Sequence, residues 1–363
     1  MRKKITIFTT KSITINRFLD QIIIDLHNKY DLNLVCKDPN NLQINPIINR
    51  KKIDIPDNLK DLINPLKIII CIWQIRKLCK TTDCIYLHTP LVSHFARIAV
   101  LFLVKRPTVI YHVHGLRYIS GIWSMKSFIY RAVEFSLSFL TNCFICINET
   151  DYKSLIKYNH KSKIEKILGV GVHISLKENL VKSLDKSKPF IVGTIASYKK
   201  EKGYEQLIKV ARKFNKNDNL IFRTFGYGDK SWLIKEVENE QIENLIINDF
   251  SNSIEDEIEK FNLFFLPSLR EGLNVSIQES LARGVPVITT KVRGCQDLII
   301  DGINGYCYEP QNINQASNLI KKIKKLSIND YKKLSENSYL YAKNNLNRKI
   351  LSKKICETFK KYV

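Results

Sequence analysis

Short apolar runs alternate with longer amphipathic segments along the whole chain, as is typical of α/β proteins with parallel sheets. Residues 190–195 form a clear buried-strand run, and the ten residues before them are polar and end in a proline. This change in character marks the best domain boundary. We therefore predict two domains, residues 1–185 and 186–348, each large enough to bury its own core.

One strand–helix–strand segment carries most of the chemical information. Residues 261–266 are apolar and aromatic and stop at a proline, and residues 285–290 form the next apolar run. Between them, either Asn274 or Ser276 can cap a helix, and residues 276–279 fit a capping box. The segment predicts one βαβ unit.

Two glutamates flank the start of this predicted helix. Glu271 lies in the loop, and Glu279 lies about one and a half turns into the helix. Ligands of such units bind at the carboxyl ends of the strands, and free N–H groups at a helix start suit a diphosphate. Taken alone, Glu279 is equally well explained as a helix-capping residue.

Residues 267–305 resemble the donor-binding signature of the retaining, GT-B-fold glycosyltransferases of family 4. The shared pattern is a Pro-Ser pair, a Glu-Gly pair, a second glutamate eight positions after the first, and a Gly-x-Pro-Val-Ile strand. The resemblance implies a GT-B fold, with two doubly wound Rossmann-like domains that face each other across a cleft. It also implies that a final helix, at about residues 349–363, packs back on the first domain.

The resemblance also implies roles for this segment in binding a nucleotide sugar. Glu279 is expected to bind the nucleotide ribose, and Glu271 is expected to contact the donor sugar. The backbone at Gly272, Leu273 and Asn274 is expected to stabilise the departing diphosphate. The second domain is thus expected to bind the donor and the first domain the acceptor.

Residues 192–203 resemble the phosphate-binding loop of the same family. Lys202 matches the family's lysine before a glycine. The family's arginine is missing, and Ser197 stands in its region as a donor-binding candidate. Lys199 or Lys200 can replace that arginine only as a point charge, because lysine lacks the planar fork of a guanidinium. A solvated loop is the competing interpretation of these lysines.

The phosphate loop is followed by a second candidate donor-binding strand end. Gly226 and Gly228 match the family's Gly-x-Gly pattern, in which small residues let the backbone approach the nucleotide. The chain has no Asp-x-Asp sequence. We therefore expect no metal and no cofactor, and expect the lysine loop and helix start to neutralise the leaving group.

Polar residues also follow the predicted strands of the first half. His88 and His114 each follow an apolar run. Residues 111–117, together with residues 148–152, resemble a bacterial branch of the family that builds surface polysaccharides on a polyprenyl carrier. In that branch the histidine before the glycine lines the acceptor side and supports the reaction, a role carried here to His114. His88 and Arg117 are the other acceptor-side candidates, although a lone histidine is more often a hydrogen-bonded structural residue.

These observations predict a retaining glycosyltransferase that moves a hexose or N-acetylhexosamine from a nucleotide diphosphate, expected to be UDP, to a lipid-linked saccharide. The alternatives are a nucleotide-sugar epimerase or phosphorylase of the same fold, or a basic nucleic-acid-binding protein. The sequence contains none of the usual nucleic-acid modules. We therefore expect a nucleotide sugar and a polyprenyl-pyrophosphate saccharide as partners, and no nucleic acid.

Nine scattered cysteines predict buried thiols in a reducing cytosol. The basic start of the chain is expected to be a first strand rather than a signal peptide, because its apolar stretch is short. No uncharged apolar run reaches the length of a membrane span. Together with the expected acceptor, this places the protein in the cytoplasm, peripheral to the inner face of the bacterial membrane.

The net charge of +23 is unevenly distributed. Residues 1–183 carry 28 Lys and Arg against 13 Asp and Glu, a balance of +15, and the remainder carries +8. Apolar stretches with basic flanks lie at residues 68–77, 98–106 and 123–131. One interpretation is that these stretches lie on an anionic membrane surface. The other is that they are ordinary core helices with solvated basic faces.

Overall fold

The computed structural model of the protein describes residues 2–44, 48–57, 59–118, 124–159, 163–174, 180–215 and 218–363. It divides into two compact units. The first contains Met1–Gly171 and Arg348–Val363, and the second contains Val172–Asn347. Among the described residues, no helix is both long enough and apolar enough to cross a bilayer.

The first unit is built around a sheet of parallel strands with helices on both faces. Its strands are β1 (Lys4–Phe8), β2 (Asp31–Cys36), β3 (Asn49–Lys52), β4 (Cys84–Leu87), β5 (Thr108–Val113), β6 (Cys143–Cys146) and β7 (Ile164–Lys166). Its helices are α1 (Ser12–Phe18), α2 (Asp20–His27), α3 (Leu59–Leu62), α4 (Pro65–Cys79), α5 (Pro90–Ala99), α6 (Met125–Ser138), α7 (Glu149–Leu155) and, from the far end of the chain, α14 (Arg348–Tyr362).

The sheet order of the first unit is β3-β2-β1-β4-β5-β6-β7, and every pairing is parallel. Side chains of each central strand alternate between two cores, since successive residues point to opposite faces. On β4, Tyr86 faces the core that α2 and α14 cover, whereas Ile85 and Leu87 face the core that α4 and α5 cover. The two CxxC cysteines of β6, Cys143 and Cys146, fall in different cores.

The last helix joins the first unit through a buried arginine. The guanidinium of Arg348 donates to Asp20 Oδ1 at 2.9 Å and to the carbonyl of Gly171 at 3.3 Å. Leu351 and Phe359 of α14 complete the core on that face, where the ring of Phe359 packs edge-on against Tyr86. The last helix, together with α2, thus covers a face that strands from the start of the chain leave apolar.

The second unit repeats the same architecture. Its strands are β8 (Phe190–Ile195), β9 (Leu220–Phe225), β10 (Leu245–Asn248), β11 (Leu263–Leu266), β12 (Val287–Thr290) and β13 (Gly305–Tyr308). Its helices are α8 (Tyr204–Ala211), α9 (Ser231–Asn239), α10 (Ile254–Glu259), α11 (Val275–Leu281), α12 (Ile313–Lys324) and α13 (Ile328–Asn345). The sheet order is β10-β9-β8-β11-β12-β13, again all parallel. The predicted α/β fold with two parallel sheets is confirmed.

The structure divides the chain after Gly171, earlier than the predicted boundary after residue 185. The polar segment at residues 180–189, on which the predicted boundary rests, packs on the second unit. Leu184 is buried in the core of that unit, and the backbone N–H of Lys182 donates to Ser335 Oγ at 2.7 Å. The segment is therefore polar because it lies on the surface of the second unit, and it is not a linker between the two units.

All nine cysteines are buried free thiols, as predicted.

Candidate active site

Both sheets reverse their strand order at one point, between β1 and β4 in the first unit and between β8 and β11 in the second. Ligands of open α/β sheets bind outside the carboxyl ends of the strands at such a switch point. In the second unit, the loops after β8 and β11 are bonded together there. The N–H of Leu269 donates to the carbonyl of Glu201 at 2.9 Å, and Gln206 Nε2 donates to the carbonyl of Pro267 at 2.9 Å.

Lys202 and Glu271 form an ion pair across these two loops. Lys202 Nζ lies 2.8 Å from Glu271 Oε1, and the two side chains are only 18% and 9% exposed. The same carboxylate oxygen accepts from Ser268 Oγ at 2.9 Å and from Asn274 Nδ2 at 3.2 Å. The structure thus brings Lys202 of the predicted phosphate-binding loop together with Glu271 and Asn274 of the predicted donor signature. A bound diphosphate would compete with Glu271 for the ammonium of Lys202.

Helix α11 begins directly behind this carboxylate. Asn274 is the N-cap, and its Oδ1 accepts from the N–H of Ile277 at 2.8 Å. The capping box predicted for residues 276–279 is wrong, because Ser276 already lies inside the helix, where its carbonyl accepts from Ser280 Oγ at 2.8 Å. Of the two capping candidates, Asn274 is the correct one, and the same side chain supports Glu271.

Two glycines allow the backbones of neighbouring loops to touch. Gly203 has φ +78°, and a Cβ there would lie 1.8 Å from the carbonyl oxygen of Pro267. Gly294 has φ +77°, and a Cβ there would lie 2.1 Å from the carbonyl oxygen of Gly272. The loop after β12 therefore packs directly against the predicted diphosphate-binding backbone at Gly272.

Arg293 is a site residue to which the sequence argument gave no role. It is buried, and its Nε donates to the backbone carbonyl of Glu271 at 3.1 Å. The signal was present in the Arg-Gly pair that follows a predicted strand, but only the fold shows that the pair faces the Glu271 loop.

The remaining predicted donor residues lie on the same elements. A Cβ on Gly226 would lie 2.0 Å from the carbonyl oxygen of Ala196, so the backbones that follow β8 and β9 are in close contact there. Gly228 has φ +106°, which favours glycine. Ser197, two residues after the end of β8, is buried. Glu279 is half-buried on α11, and Gly272 and Leu273 are half-buried in the loop before that helix. Lys199 and Lys200 are exposed.

In the first unit, the predicted acceptor residues His88 and His114 contact each other directly. His88 Nδ1 lies 2.8 Å from His114 Nε2. His112 stacks on His114 with ring centroids 4.5 Å apart, and its Nδ1 lies 2.7 Å from the hydroxyl of Tyr86. Two predicted residues therefore belong to a cluster whose third histidine, His112, the sequence analysis did not single out.

Burial lowers the pKa of all three histidines. Burial is the main cause for His88 and His112, and the nearby histidines lower their pKa further. Burial alone lowers the pKa of His114 to about 4. The cluster is therefore neutral at neutral pH, and its rings can both donate and accept hydrogen bonds.

A network behind the histidines fixes the loop after β5. The N–H of Leu116 donates to Asp151 Oδ2 at 3.2 Å, and Asn148 Nδ2 donates to the same oxygen at 2.8 Å. Arg117 is exposed in this loop, where its Nη1 donates to the hydroxyl of Tyr130 at 3.3 Å. The structure therefore places Arg117 on the loop of His114 but outside the histidine cluster.

Thr89 is a further candidate site residue of the first unit, and it was not predicted from the sequence. It follows His88 at the end of β4 and has φ +62°, an outlier for a β-branched residue. Its hydroxyl lies 2.7 Å from that of Thr10, at the end of β1. Nothing in the amino-acid pattern signals this backbone conformation, which is sustained only by the surrounding fold.

Among the described residues, His88, His112 and His114 are the one group of metal-ligating side chains with ligand atoms within 4.8 Å of one another. Tetrahedral zinc would hold its nitrogen ligands about 3.4 Å apart. The 2.8 Å contact between His88 and His114 would have to open for both nitrogens to bind one ion. The stacked rings of His112 and His114 also fit poorly with two in-plane bonds to a single metal.

Comparison with known proteins is consistent with this geometry. Residues 177–341 match the family described as Glycosyl transferases group 1. The match covers most of the second unit, which is therefore similar to the domain of that family.

Two curated relatives and one solved structure illustrate the similarity. The UDP-Gal:alpha-D-GlcNAc-diphosphoundecaprenol alpha-1,3-galactosyltransferase of Escherichia coli is 23% identical over 82% of this chain and 81% of its own length. The capsular polysaccharide biosynthesis glycosyltransferase CapM of Staphylococcus aureus is 29% identical over 65% of each chain. The Anabaena HepE structure with UDP superposes with a TM-score of 0.78 at 16% identity, over 99% of this chain and 100% of that one.

The match to CapM spans slightly less than two thirds of that relative's length. The likeness to HepE, at its low identity, concerns the fold.

Proposed function

We propose that this protein is a retaining glycosyltransferase that moves a hexose or N-acetylhexosamine from a UDP-sugar to a polyprenyl-pyrophosphate-linked saccharide in surface-polysaccharide synthesis. The observation that carries the proposal is the Lys202–Glu271 pair at the switch point of the glycosyl transferases group 1 domain. The reaction would take place at the cytoplasmic face of the bacterial membrane.

In this proposal the chemistry depends on charge that develops on the leaving diphosphate. Lys202 leaves Glu271 and binds the phosphates, together with the backbone of residues 272–274. Preorganised groups of this kind act at the point where charge develops in the transition state. Glu271, released from Lys202 but still bonded by Ser268 and Asn274, binds hydroxyls of the donor sugar, while Glu279 binds the ribose.

His114 contributes to the acceptor side of the reaction in the same proposal. As a neutral imidazole, it can hydrogen-bond an acceptor hydroxyl, and His88 fixes its ring through the 2.8 Å contact. No carboxylate pair of the kind that glycosidases place across a sugar is apparent in the sequence pattern. We therefore propose that the acceptor attacks from the face that the diphosphate leaves, which retains the anomeric configuration.

The comparisons support the substrate classes. The Escherichia coli relative is named for a UDP-galactose donor and a diphosphoundecaprenol-linked acceptor, and HepE structures contain UDP and UDP-glucose. These names describe those proteins. They guide the choice of substrates to be tested here.

A donor screen with a polyprenyl-pyrophosphate saccharide acceptor tests the proposal. UDP-hexoses and UDP-N-acetylhexosamines are supplied singly, and transfer to the lipid is followed by chromatography, with the product anomer assigned by NMR. Transfer from at least one donor, lost in Lys202→Ala, is the expected result. Conversion of the UDP-sugar without acceptor would indicate an epimerase, and phosphate-dependent release of sugar 1-phosphate would indicate a phosphorylase. Thermal stabilisation by an oligonucleotide but not by UDP would indicate a nucleic-acid-binding protein.

A further inference from the structure

Helix α4 has an apolar face that nothing in the described structure covers. Leu66, Ile69, Ile70 and Trp73 follow the i, i+3, i+4, i+7 spacing of one helix face and are between 44% and 64% exposed. The opposite face, with Cys71, Ile75 and Cys79, is buried in the core beside α5. The helix is thus apolar on both sides, although only one side meets the protein.

The loop after α5 presents two more apolar side chains. Phe102 is 92% exposed and Val104 is fully exposed. Phe102 has φ +58°, an unfavourable conformation for a bulky residue. The guanidinium of Arg76 on α4 holds the loop by donating to the carbonyls of Ala99, Leu101 and Phe102. The fold therefore fixes an aromatic ring in solvent rather than burying it.

Helix α6 adds a third apolar segment on the same side of the sheet. The exposed apolar residues of this helix and its C-cap are Met125, Phe128, Ile129, Val133, Phe135 and Phe139, with exposures from 36% to 81%. The helix is attached to α5 by Glu134, which bonds Arg97 Nη2 at 3.0 Å and His94 Nε2 at 2.8 Å.

Charge on these three segments is of one sign. In residues 63–80, 97–106 and 124–139, the only acidic residue is Glu134, which is buried and paired with Arg97. The exposed charged residues are all basic: Lys67, Lys77, Lys80, Lys105, Arg106, Lys126 and Arg131. Two of them have acidic partners just outside these segments, Lys67 with Asp61 at 2.5 Å and Lys105 with Asp83 at 3.7 Å. Apolar side chains among lysines and arginines are what an anionic interface accommodates.

We propose that α4, the residue 101–106 loop and α6 form a membrane-docking surface that lies on an anionic lipid bilayer. The apolar side chains enter the boundary between headgroups and acyl chains, and the basic residues bind the headgroups. A second copy of the chain fits this surface less well, because a symmetric contact would bring identical basic residues together. The surface belongs to the first unit alone, so the proposal does not depend on the transfer reaction.

Vesicle co-sedimentation tests the docking surface directly. The protein is mixed at low salt with vesicles of phosphatidylcholine, with or without 30 mol% phosphatidylglycerol, and the bound fraction is measured. Each basic residue near an anionic surface raises binding roughly fivefold. The double variant Lys105→Glu with Arg106→Glu is therefore expected to bind at least about twenty-fivefold more weakly, and high salt is expected to release the parent protein.

A second variant separates insertion from charge. Phe102→Ser with Val104→Ser removes two exposed side chains without touching the core, and it should lower binding about tenfold or more on anionic vesicles. The matched control is Ile303→Ser, which removes a 45% exposed apolar residue from the second unit and should bind as the parent does. Thermal unfolding confirms that each variant is folded.

Equal binding to neutral and anionic vesicles would overturn the proposal, as would unchanged binding by both double variants. A parent protein that sediments as a dimer, with a monomeric Phe102→Ser variant, would identify the surface as a self-association interface instead. UDP binding by the variants, measured by calorimetry, should equal that of the parent. This last measurement distinguishes failure of the docking surface from failure of the proposed donor site.

Discussion

Lys202 and Glu271 are 69 positions apart in the sequence, yet Lys202 Nζ lies 2.8 Å from Glu271 Oε1. Each residue follows a different strand of the same sheet, and the two strands are neighbours only because the order reverses between them. The pair therefore lies at the switch point of the sheet, where this fold favours ligand binding, and the ion pair keeps both side chains in place.

Replacing Lys202 by alanine should lower kcat by a factor of about 100 to 1,000 and change donor affinity less, because the ammonium acts on charge that develops during the reaction. Glu271 keeps its bonds from Ser268 and Asn274, so the loop should stay folded. Steady-state kinetics with the donor found in the screen are the measurement, and Lys209→Ala, at an exposed lysine of α8, is the control. Unchanged kinetics in folded Lys202→Ala would remove this residue from the site.

Replacing Glu279 by alanine should weaken donor binding by about 1.5–3 kcal/mol, the value of a hydrogen bond to a charged group. This corresponds to a roughly 10- to 150-fold higher Kd for UDP in calorimetry. Glu309→Ala, an exposed carboxylate of the same unit, serves as the control. Equal affinities for the two variants would show that Glu279 does not bind the ribose.

Gly294→Ala should impair activity through the backbone rather than through a lost side chain. The residue has φ +77°, and an added Cβ would lie 2.1 Å from the carbonyl oxygen of Gly272, so the diphosphate-binding loop must move. We expect lower donor affinity together with a lower melting temperature. Gly302→Ala has a similar φ, +78°, but its Cβ would meet nothing closer than 3.9 Å. If both variants lost the same affinity, strain at φ alone would explain the effect and the loop contact would not matter.

Activity should survive treatment with EDTA, since the proposed mechanism neutralises the diphosphate with Lys202 and backbone N–H groups. The assay is transfer before and after dialysis against the chelator. Loss of activity that Mn²⁺ or Mg²⁺ restores would show that a cation neutralises the diphosphate. Loss of activity that only Zn²⁺ restores would point to the cluster of His88, His112 and His114, provided that Zn²⁺ does not restore activity to His112→Gln.

The histidine cluster predicts that the first unit loses stability in mild acid. Its three histidines have folded pKa values below the unfolded value of about 6.5. The unfolded state therefore binds more protons as pH falls through 6.5, and stability falls with it until the folded pKa is reached, at about 4 for His114. Each histidine should contribute a loss of roughly 1 kcal/mol per pH unit.

Denaturant unfolding between pH 7 and pH 5 measures this loss. His112→Gln should reduce its slope by about one third, because one of the three groups no longer titrates. Identical slopes for the parent and His112→Gln would place the acid sensitivity elsewhere.

Local patterns predicted the fold well because buried strands are continuous apolar runs. The strand at Phe190–Ile195 has the predicted bounds. The run at residues 261–266 was predicted two residues too long, since the strand begins at Leu263. Phe261 is apolar for another reason, because its ring fills the space beside Gly193, where a Cβ would lie 2.1 Å from it.

The site was harder to predict where it depends on tertiary contacts. The signature identified Glu271, Lys202 and Asn274 as residue types, but it could not show that Asn274 both caps α11 and bonds Glu271. The positive φ of Thr89 has no local signal, and the Arg-Gly pair at Arg293 did not show that its side chain is buried against the Glu271 loop, because both features depend on residues distant in the sequence.

The buried bonds of Arg348 have a consequence for how the protein matures during synthesis. The core on one face of the first unit stays incomplete until α14 leaves the ribosome, since Leu351 and Phe359 pack there beside residues of α2. The second unit is a continuous segment, Val172–Asn347, and can finish folding before α14 appears. The unit encoded first is therefore completed last, and until then the apolar residues that α14 covers stay exposed on the nascent chain.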